Sequence, residues 1–392
     1  MRSIGAVLLV ALTGVSVPFV AQTPDPVGDV PMFSGRDLSG WVNINCAPDT
    51  WSVEDGIVHC TGAPICELRT DRMYENFILE LEWQHLKPKG NAGVFVWADA
   101  LPARGGPFLR AVEVQVLDGS ETANSTSHGD VFAIHGARMT PDRPHPAGWM
   151  RSLPSEKRAR PAGQWNHYRI TANNGTVKLA VNGKEVSGGY DITPRKGYIA
   201  LESEGSLALF RNVRIKELPA SSGLKPDEVA RPDEGFVSLY NGKDLSGWRP
   251  VARTRSAWYA KDWTIVYAGA NGAASGALWS EEEYGDIVLM VDWRYTSERG
   301  PDVMRALAPG EGWSPPRGAR VAVVPRPLPS GDRGAWHRAL VTMKGQRLTV
   351  DVDGHTLVDN VEQPGVPERG PFLIQSGEAA MELANIFVKR LD

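Results

Sequence analysis

One phrase written twice constrains this chain more than any other feature. Residues 32–41 read M-F-S-G-R-D-L-S-G-W, and residues 239–248 read L-Y-N-G-K-D-L-S-G-W. The correspondence runs on. Y-E-N-F-I-L-E-L-E-W at 74–83 answers Y-G-D-I-V-L-M-V-D-W at 284–293, and G-Q-W-N-H-Y-R-I at 163–170 answers G-A-W-H-R-A-L-V at 334–341. Each copy closes on a similar run, F-R-N-V-R-I-K-E-L at 210–218 and L-A-N-I-F-V-K-R-L at 383–391. Such self-similarity means one folding unit used twice. The copies occupy residues 29–218 and 234–392, and the Pro-, Ser- and charge-rich stretch 219–233 reads as a linker.

Within each copy, short runs alternate apolar and polar residues between N-G, D-G and G-G turns. A period of two sends one side chain to the core and the next to the opposite face. V-N-G-K at 181–184 and D-V-D-G-H at 351–355 carry the turn chemistry of hairpin tips. Helix-period stretches are scarce, while Gly 41 and Pro 29 supply turns. The expected fold class is all-β, two tandem sandwiches of the jelly-roll kind. Trp41, Trp51, Trp83 and Trp165 recur in both copies and are expected in the cores.

A net charge of -4 offers no basic field to nucleic acid. Residues 1–22 read as a secretory signal peptide: Arg2, an apolar run from Ile4 to Val20, then Ala21 before the cut. That run is short and carries Pro18, and no later segment is long and apolar enough to span a bilayer. The expected location is therefore outside the cytoplasm, periplasmic or secreted, with no transmembrane segment after signal removal. In an oxidising compartment, Cys46, Cys60 and Cys66 suggest one disulfide and one free thiol. Cys46 to Cys60 is the expected bridge, closing a loop worth about 3 kcal/mol of unfolded-state entropy. Their spacing lacks the paired C-x-x-C of a zinc site.

The copies part company between residues 90 and 137. The first reads G-N-A-G-V-F-V-W (90–97), V-E-V-Q-V-L-D (112–118) and H-G-D-V-F-A-I-H-G-A (128–137). Glu113 and Gln115 share one face of a strand whose other face is Val112, Val114 and Val116. In the second copy G-P-D-V-M-R-A-L (300–307) stands for the first of these, and R-V-A-V-V-P-R (320–326), with no carboxylate, for the second. The histidine loop has no counterpart. Activity is therefore expected in the first copy, and a supporting or binding role in the second. The Arg- and Pro-rich stretch 143–161 is expected as a long surface loop beside the site.

Both copies resemble the 3-keto-disaccharide hydrolase domain family. The phrases that carry the likeness are F-S-G-R-D-L-S-G-W, L-R-T (68–70), Y-E-N-F-I-L-E-L-E-W, G-N-A-G-V-F-V-W and G-Y-I-A-L-E-S-E-G (197–205), with the second copy departing at G-N-A-G. The resemblance implies concanavalin-like jelly-roll sandwiches that hold sugar on a concave sheet. It also implies action on glycosides whose glucose carries a ketone at carbon 3.

Such a ketone acidifies the hydrogen at carbon 2. A base removes it, the glycosidic oxygen leaves by elimination, and water adds back. Glu113, His128, Asp130 and His135 are the candidate catalytic groups. The alternative for each histidine is a hydrogen bond that holds the loop, and for Asp130 a turn cap. No cofactor is required by the sequence, although His128, Asp130 and His135 are also compatible with a divalent metal. Asn91, Gln115, Trp97, Arg69, Glu202 and Asp118 are candidate carbohydrate contacts, with Glu202 a second carboxylate across the groove. Glu113, Gln115 and Asp118 also approach the E-x-D-x-x-E strand of laminarinase-type glucanases, if a bulge brings Asp118 onto the same face. Three functions stay open: cleavage of 3-keto-glycosides, carbohydrate binding without turnover, and hydrolysis of an unoxidised glucan.

Overall fold

The computed structural model describes residues 29–118, 126, 128–269, 276–296, 318–323, 334–376 and 379–391. The expected signal peptide lies outside the described residues, as does the stretch 300–307. Among the described residues no helix is long and apolar enough to cross a membrane.

Two β-sandwiches follow one another. In the first, a nine-stranded back sheet has Phe77–His85 at its centre, between Asn166–Asn173 and Ala208–Glu217. A seven-stranded front sheet runs in the order Arg151–Ser152, Val131–Ile134, Ala111–Leu117, Asn91–Ala98, Tyr198–Ser203, Cys66–Thr70, Trp41–Ile44. Every pairing in these two sheets is antiparallel. The core between them is filled from alternate positions, for example Val112, Val114 and Val116 against Leu79, Leu81 and Tyr168. The V-N-G-K tip closes as expected, with Val181 opposite Lys184 and positive φ at Asn182 (48°) and Gly183 (87°). Stretch 143–161 is not wholly loop, because Arg151–Ser152 adds an edge strand to the front sheet.

Trp51 and Trp83 are core, as expected. Trp165 is not. It is half-buried on the outside of the back sheet, with the Arg211 guanidinium 3.9 Å above its ring. Trp41 is half-buried, packed against the core and stacked on Phe33 at the sandwich edge.

The disulfide joins Cys46 to Cys66, not to Cys60. Strand register decides this. Trp41–Ile44 pairs with Cys66–Thr70, Ile44 opposite Glu67, which brings Cys46 beside Cys66 at the end of the ladder. Cys60 belongs to the back sheet and points into the core, where burial pushes its thiol up to about 11.

The second sandwich repeats the plan with an eight-stranded and a four-stranded sheet. Its small sheet runs Trp248–Pro250, Ala277–Ser280, Phe372–Gln375, Val321–Val323, and the last two strands pair in parallel. Val321–Val323 thus sits directly against Phe372–Gln375. In the first copy, the corresponding Ala111–Leu117 strand is separated from Tyr198–Ser203 by Asn91–Ala98.

The large sheet of the second sandwich packs on the outer face of the front sheet of the first. Met290 and Phe387 join Ile44, Phe95, Ala111, Tyr198 and Ala200 in one apolar cluster. These two are cross-strand partners, and the pair at the same place in the first copy is Glu80 and Arg214. Two charged residues in the first copy are matched by two apolar residues turned to a neighbour in the second. Polar contacts fix the register of the two domains. Asp292 accepts from Gly105 N (2.8 Å), the Arg338 guanidinium (2.7 and 2.8 Å) and Asn385 Nδ2 (2.8 Å). Arg338 also donates to Pro102 O at 2.9 Å. In the first copy Arg211 and Asn212 occupy the equivalent carboxylate, Glu82. With Ala384 where Arg211 stands, Asp292 is open to the incoming loop.

Peptide mapping under non-reducing conditions is expected to recover a Cys46–Cys66 linked peptide, with Cys60 alkylated only after unfolding. Reduction is expected to cost about 3 kcal/mol in denaturant unfolding, the loop-closure value for a bridge of this span. A linked Cys46–Cys60 peptide would contradict the register.

Candidate active site

The outer face of the front sheet is divided. The second sandwich covers the half that carries Phe95, Ala111 and Ala200. The other half carries carboxyl groups. Glu202 lies opposite Glu67 on the neighbouring strand, Gln115 opposite Gly93, and Glu113 opposite Phe95 and Phe132. The valines of V-E-V-Q-V fill the core and oblige Glu113 and Gln115 to face outward.

Gly93 lies on the strand between those of Glu113 and Glu202. A methyl group built there would meet Glu202 Oε2 at 2.9 Å and Glu113 Oε1 at 3.0 Å. The two carboxyl groups thus approach one point from adjacent strands on either side, and the missing side chain at buried Gly93 leaves room for both of them. Glu113 is 6% exposed and Glu202 1%. One oxygen of Glu202 and one of Glu67 have no hydrogen-bond partner. The other Glu67 oxygen accepts from Leu109 N at 3.0 Å. At the rim, Gln115 Nε2 donates to Asn91 Oδ1 at 2.8 Å, and Asn91 Nδ2 donates to Glu204.

Burial raises all four carboxyl groups. Glu113 is pushed up to about 8, first by desolvation and then by the Glu204 charge, with Arg151 pulling the other way. Glu202 is held well above the ordinary range by burial and then by Glu113, Glu204 and Glu67. Glu67 is raised mainly by burial, against its hydrogen bond from Leu109. Glu204 is raised by burial despite its bond from Asn91. Arg151 stands over the Phe132 ring at 3.7 Å and gives Nη1 to Asp130 at 2.9 Å. Like-charged groups in one dry place cannot all ionise, so at neutral pH the cluster holds protons. A neutral acid beside an ionisable base is the pairing general acid–base chemistry needs.

The structure brings Glu113, Glu202, Gln115 and Asn91 together and places the other candidates elsewhere. Asp130 is fully buried and accepts from Thr126 N, Thr126 Oγ1 and Arg151, so it caps the loop and anchors the arginine. His128 accepts at Nδ1 from Ala159 N (3.2 Å) and ties that loop to the next. His135 lies three residues along the sheet from the Glu113–Phe132 pair, roughly 10 Å by strand rise. It lines a cleft of about 630 Å³ between the domains with Arg110, Arg231, Arg338 and Asp353, and burial lowers its pKa. No group of three or more His, Cys, Asp or Glu among the described residues is arranged to hold a metal ion, so His128, Asp130 and His135 form no ligand set.

Three expected sugar contacts are corrected. Trp97 is wholly buried, its edge on Phe77 and its Nε1 bonded to Glu75 O at 2.7 Å, which leaves no face for a sugar. Arg69 is sealed under the linker, donating to Ala100 O (3.0 Å), Thr70 O (2.8 Å) and Asp233 (2.5 Å). Asp118 does not join Glu113, because Ala111–Leu117 runs without a bulge against Asn91–Ala98.

Glu67 and Glu204 belong to the cluster although sequence reasoning passed them over. The second copy contains the signal that marks Glu67. Its Ala277–Gln375 cross-strand pair stands where the first copy has Glu67–Glu202, and Trp279 stands where the first has Arg69. Val321–Val323 supplies nothing acidic in place of Glu113. Among the described residues, one framework thus carries the cluster in one copy and lacks it in the other.

Fold and site together define a two-sandwich all-β protein with a carboxyl-lined face on its first unit. The chain belongs to the 3-keto-alpha-glucoside-1,2-lyase-like domain family, which it matches over residues 28–216 and 235–304. It is similar to a 3-keto-disaccharide hydrolase of Bacteroides thetaiotaomicron, 23% identical over 244 residues, 50% of this chain and 80% of that one. A putative glycosyl hydrolase from Parabacteroides distasonis shares 22% identity over 49% of this chain and 94% of its own, with a TM-score of 0.39. The carbohydrate binding module CBM66 of Bacillus subtilis shares 14% over 45% of this chain and 96% of its own, with a TM-score of 0.34.

Because the folded pKa of Glu113 lies above that of an unfolded glutamate, its stabilising proton is present at low pH and is lost as pH rises toward about 8. Glu113→Gln is therefore expected to gain stability over the wild type between pH 5 and 8, by at most about 1.4 kcal/mol per pH unit. Denaturant unfolding at several pH values reads this directly. A pH-independent difference would mean that Glu113 titrates normally.

Proposed function

We propose that this protein cleaves glycosides of 3-keto-glucose, by proton abstraction at carbon 2, elimination of the glycosidic oxygen and addition of water. The observation that carries the reading is the convergence of Glu113 and Glu202 on one point over Gly93, both raised in pKa. Family membership supports the substrate class.

In this scheme Glu113, as carboxylate, takes the carbon-2 hydrogen, and the electrons move into the ketone as an enolate. Glu202, the more deeply buried group, gives its proton to the leaving oxygen as the carbon 1–oxygen bond breaks and the enolate collapses to a carbon 1–carbon 2 double bond. Water then adds: Glu202, now a carboxylate, takes a proton from the water attacking carbon 1, and Glu113 returns its proton to carbon 2. Both groups end as they began. A base with pKa near the working pH suits this abstraction better than an ordinary glutamate, whose conjugate acid is too strong. The disulfide fits an exported protein.

Two carboxyl groups about one point would also suit a retaining glycosidase acting on unoxidised sugar. That reaction needs no ketone at carbon 3, so the choice of substrate tells the two readings apart.

Purified protein is expected to release 3-keto-glucose from a 3-keto-disaccharide and to leave the unoxidised disaccharide intact. Glu113→Gln is expected to lower kcat/KM by about 10²–10⁴-fold, the usual contribution of a positioned base. The wild-type kcat/KM should climb with pH and level near 8, since the base acts deprotonated. Full activity in Glu113→Gln would sink the assignment, and cleavage of unoxidised glucan would favour the glycosidase reading.

A further inference from the structure

Beyond the carboxyl cluster, the same face ends in a short, tightly bonded loop that the chemistry above does not use. Trp149 on this loop is 45% exposed and stacks flat on His145, with ring centroids 4.6 Å apart and 9° between the planes. His145 is itself buried, and its Nδ1 accepts from Ala147 N at 3.0 Å. The backbone around it is closed by bonds from His145 N to Arg151 O, Gly148 N to His145 O and Ala133 N to Met150 O. One indole face is thus fixed against a held imidazole while the ring remains open to solvent.

The loop that carries this ring leads into the edge strand of the same sheet. Arg151, two residues on, pairs with Phe132, and Phe132 pairs with Glu113. Two inter-strand spacings put the Arg151 backbone roughly 10 Å from that of Glu113, and three put it roughly 14 Å from that of Gly93, a span on the scale of a disaccharide rather than of one sugar. The second copy supplies an internal comparison. Where the first copy has the Trp149 loop, the second has only V-P-R-P-L-P-S-G-D-R at 324–333, with no aromatic residue. The described residues of the second copy carry no such carboxyl cluster, and its stretch 324–333 carries no indole.

We propose that Trp149 is the stacking platform for the neutral sugar that departs with the glycosidic oxygen, a leaving-group subsite whose geometry is set by His145. An aromatic plane held in one orientation accepts the C–H face of a pyranose at little entropic cost. The assignment rests on the glycoside-cleaving reading for its direction, with the reacting sugar at Gly93 and the departing sugar at Trp149.

The test compares two substrates on the full-length protein: a 3-keto-disaccharide whose leaving group is glucose, and methyl 3-keto-glucoside. Trp149→Ala is expected to raise KM for the disaccharide about tenfold and to leave the methyl glycoside unchanged, with Trp149→Phe close to wild type. No change, or an equal change with both substrates, overturns the subsite. If the wild type turns over neither substrate, the catalytic reading fails and calorimetry decides the subsite alone. Unoxidised glucose disaccharide is then titrated into Glu113→Gln and into Glu113→Gln/Trp149→Ala. At least tenfold weaker binding in the double variant supports the platform, and equal binding or none in both overturns it.

Discussion

Removing a carboxyl group from water without giving it a cation disfavours its charged form, and this protein does so with several glutamates on one sheet face. Arg69, on the same strand as Glu67, spends its donors on the linker and two carbonyls, while Arg151 is tied to Asp130. Protons therefore take the place of cations. The fold gives up stability at this point, a cost found where chemistry rather than packing sets the residues. Gly93 completes the arrangement, since any side chain there would push the two carboxyl groups apart.

The duplication gives part of this face a cover. The second sandwich spends its large sheet on covering half of the first sandwich's front sheet, through Met290, Phe387 and the Asp292 network. What the second copy lost in polar residues on its small sheet it matched with a gain of apolar docking residues on its large one. The two changes are on opposite sheets, so the docking could evolve without disturbing the shared core. The proposed site is left at the uncovered end of the face, between the domain contact and the Trp149 loop.

Much of this was legible from residues alone. The period-two alternation and the repeated phrase gave the all-β, two-copy plan, because both depend on local chemistry. Glu113, Gln115 and Glu202 were visible as polar residues between core positions. Pairing across strands was not. Cys66 rather than Cys60 meets Cys46 only because of the Ile44–Glu67 register, and Trp97 is lost to the core although it sits on a strand of the site. The histidine loop misled for a related reason. Polar residues crowded in sequence, His128, Asp130 and His135, diverge to a loop tie, a buried cap and the domain cleft. Glu67 was hidden because its meaning lies in its cross-strand partner Glu202, which only the fold reveals.

The most direct test is a crystal structure of Glu113→Gln bound to a 3-keto-disaccharide. The account predicts the oxidised ring over Gly93, carbon 2 toward residue 113 and the glycosidic oxygen within hydrogen-bond reach of Glu202. Sugar bound instead in the domain cleft at His135, or on the second sandwich, would contradict it.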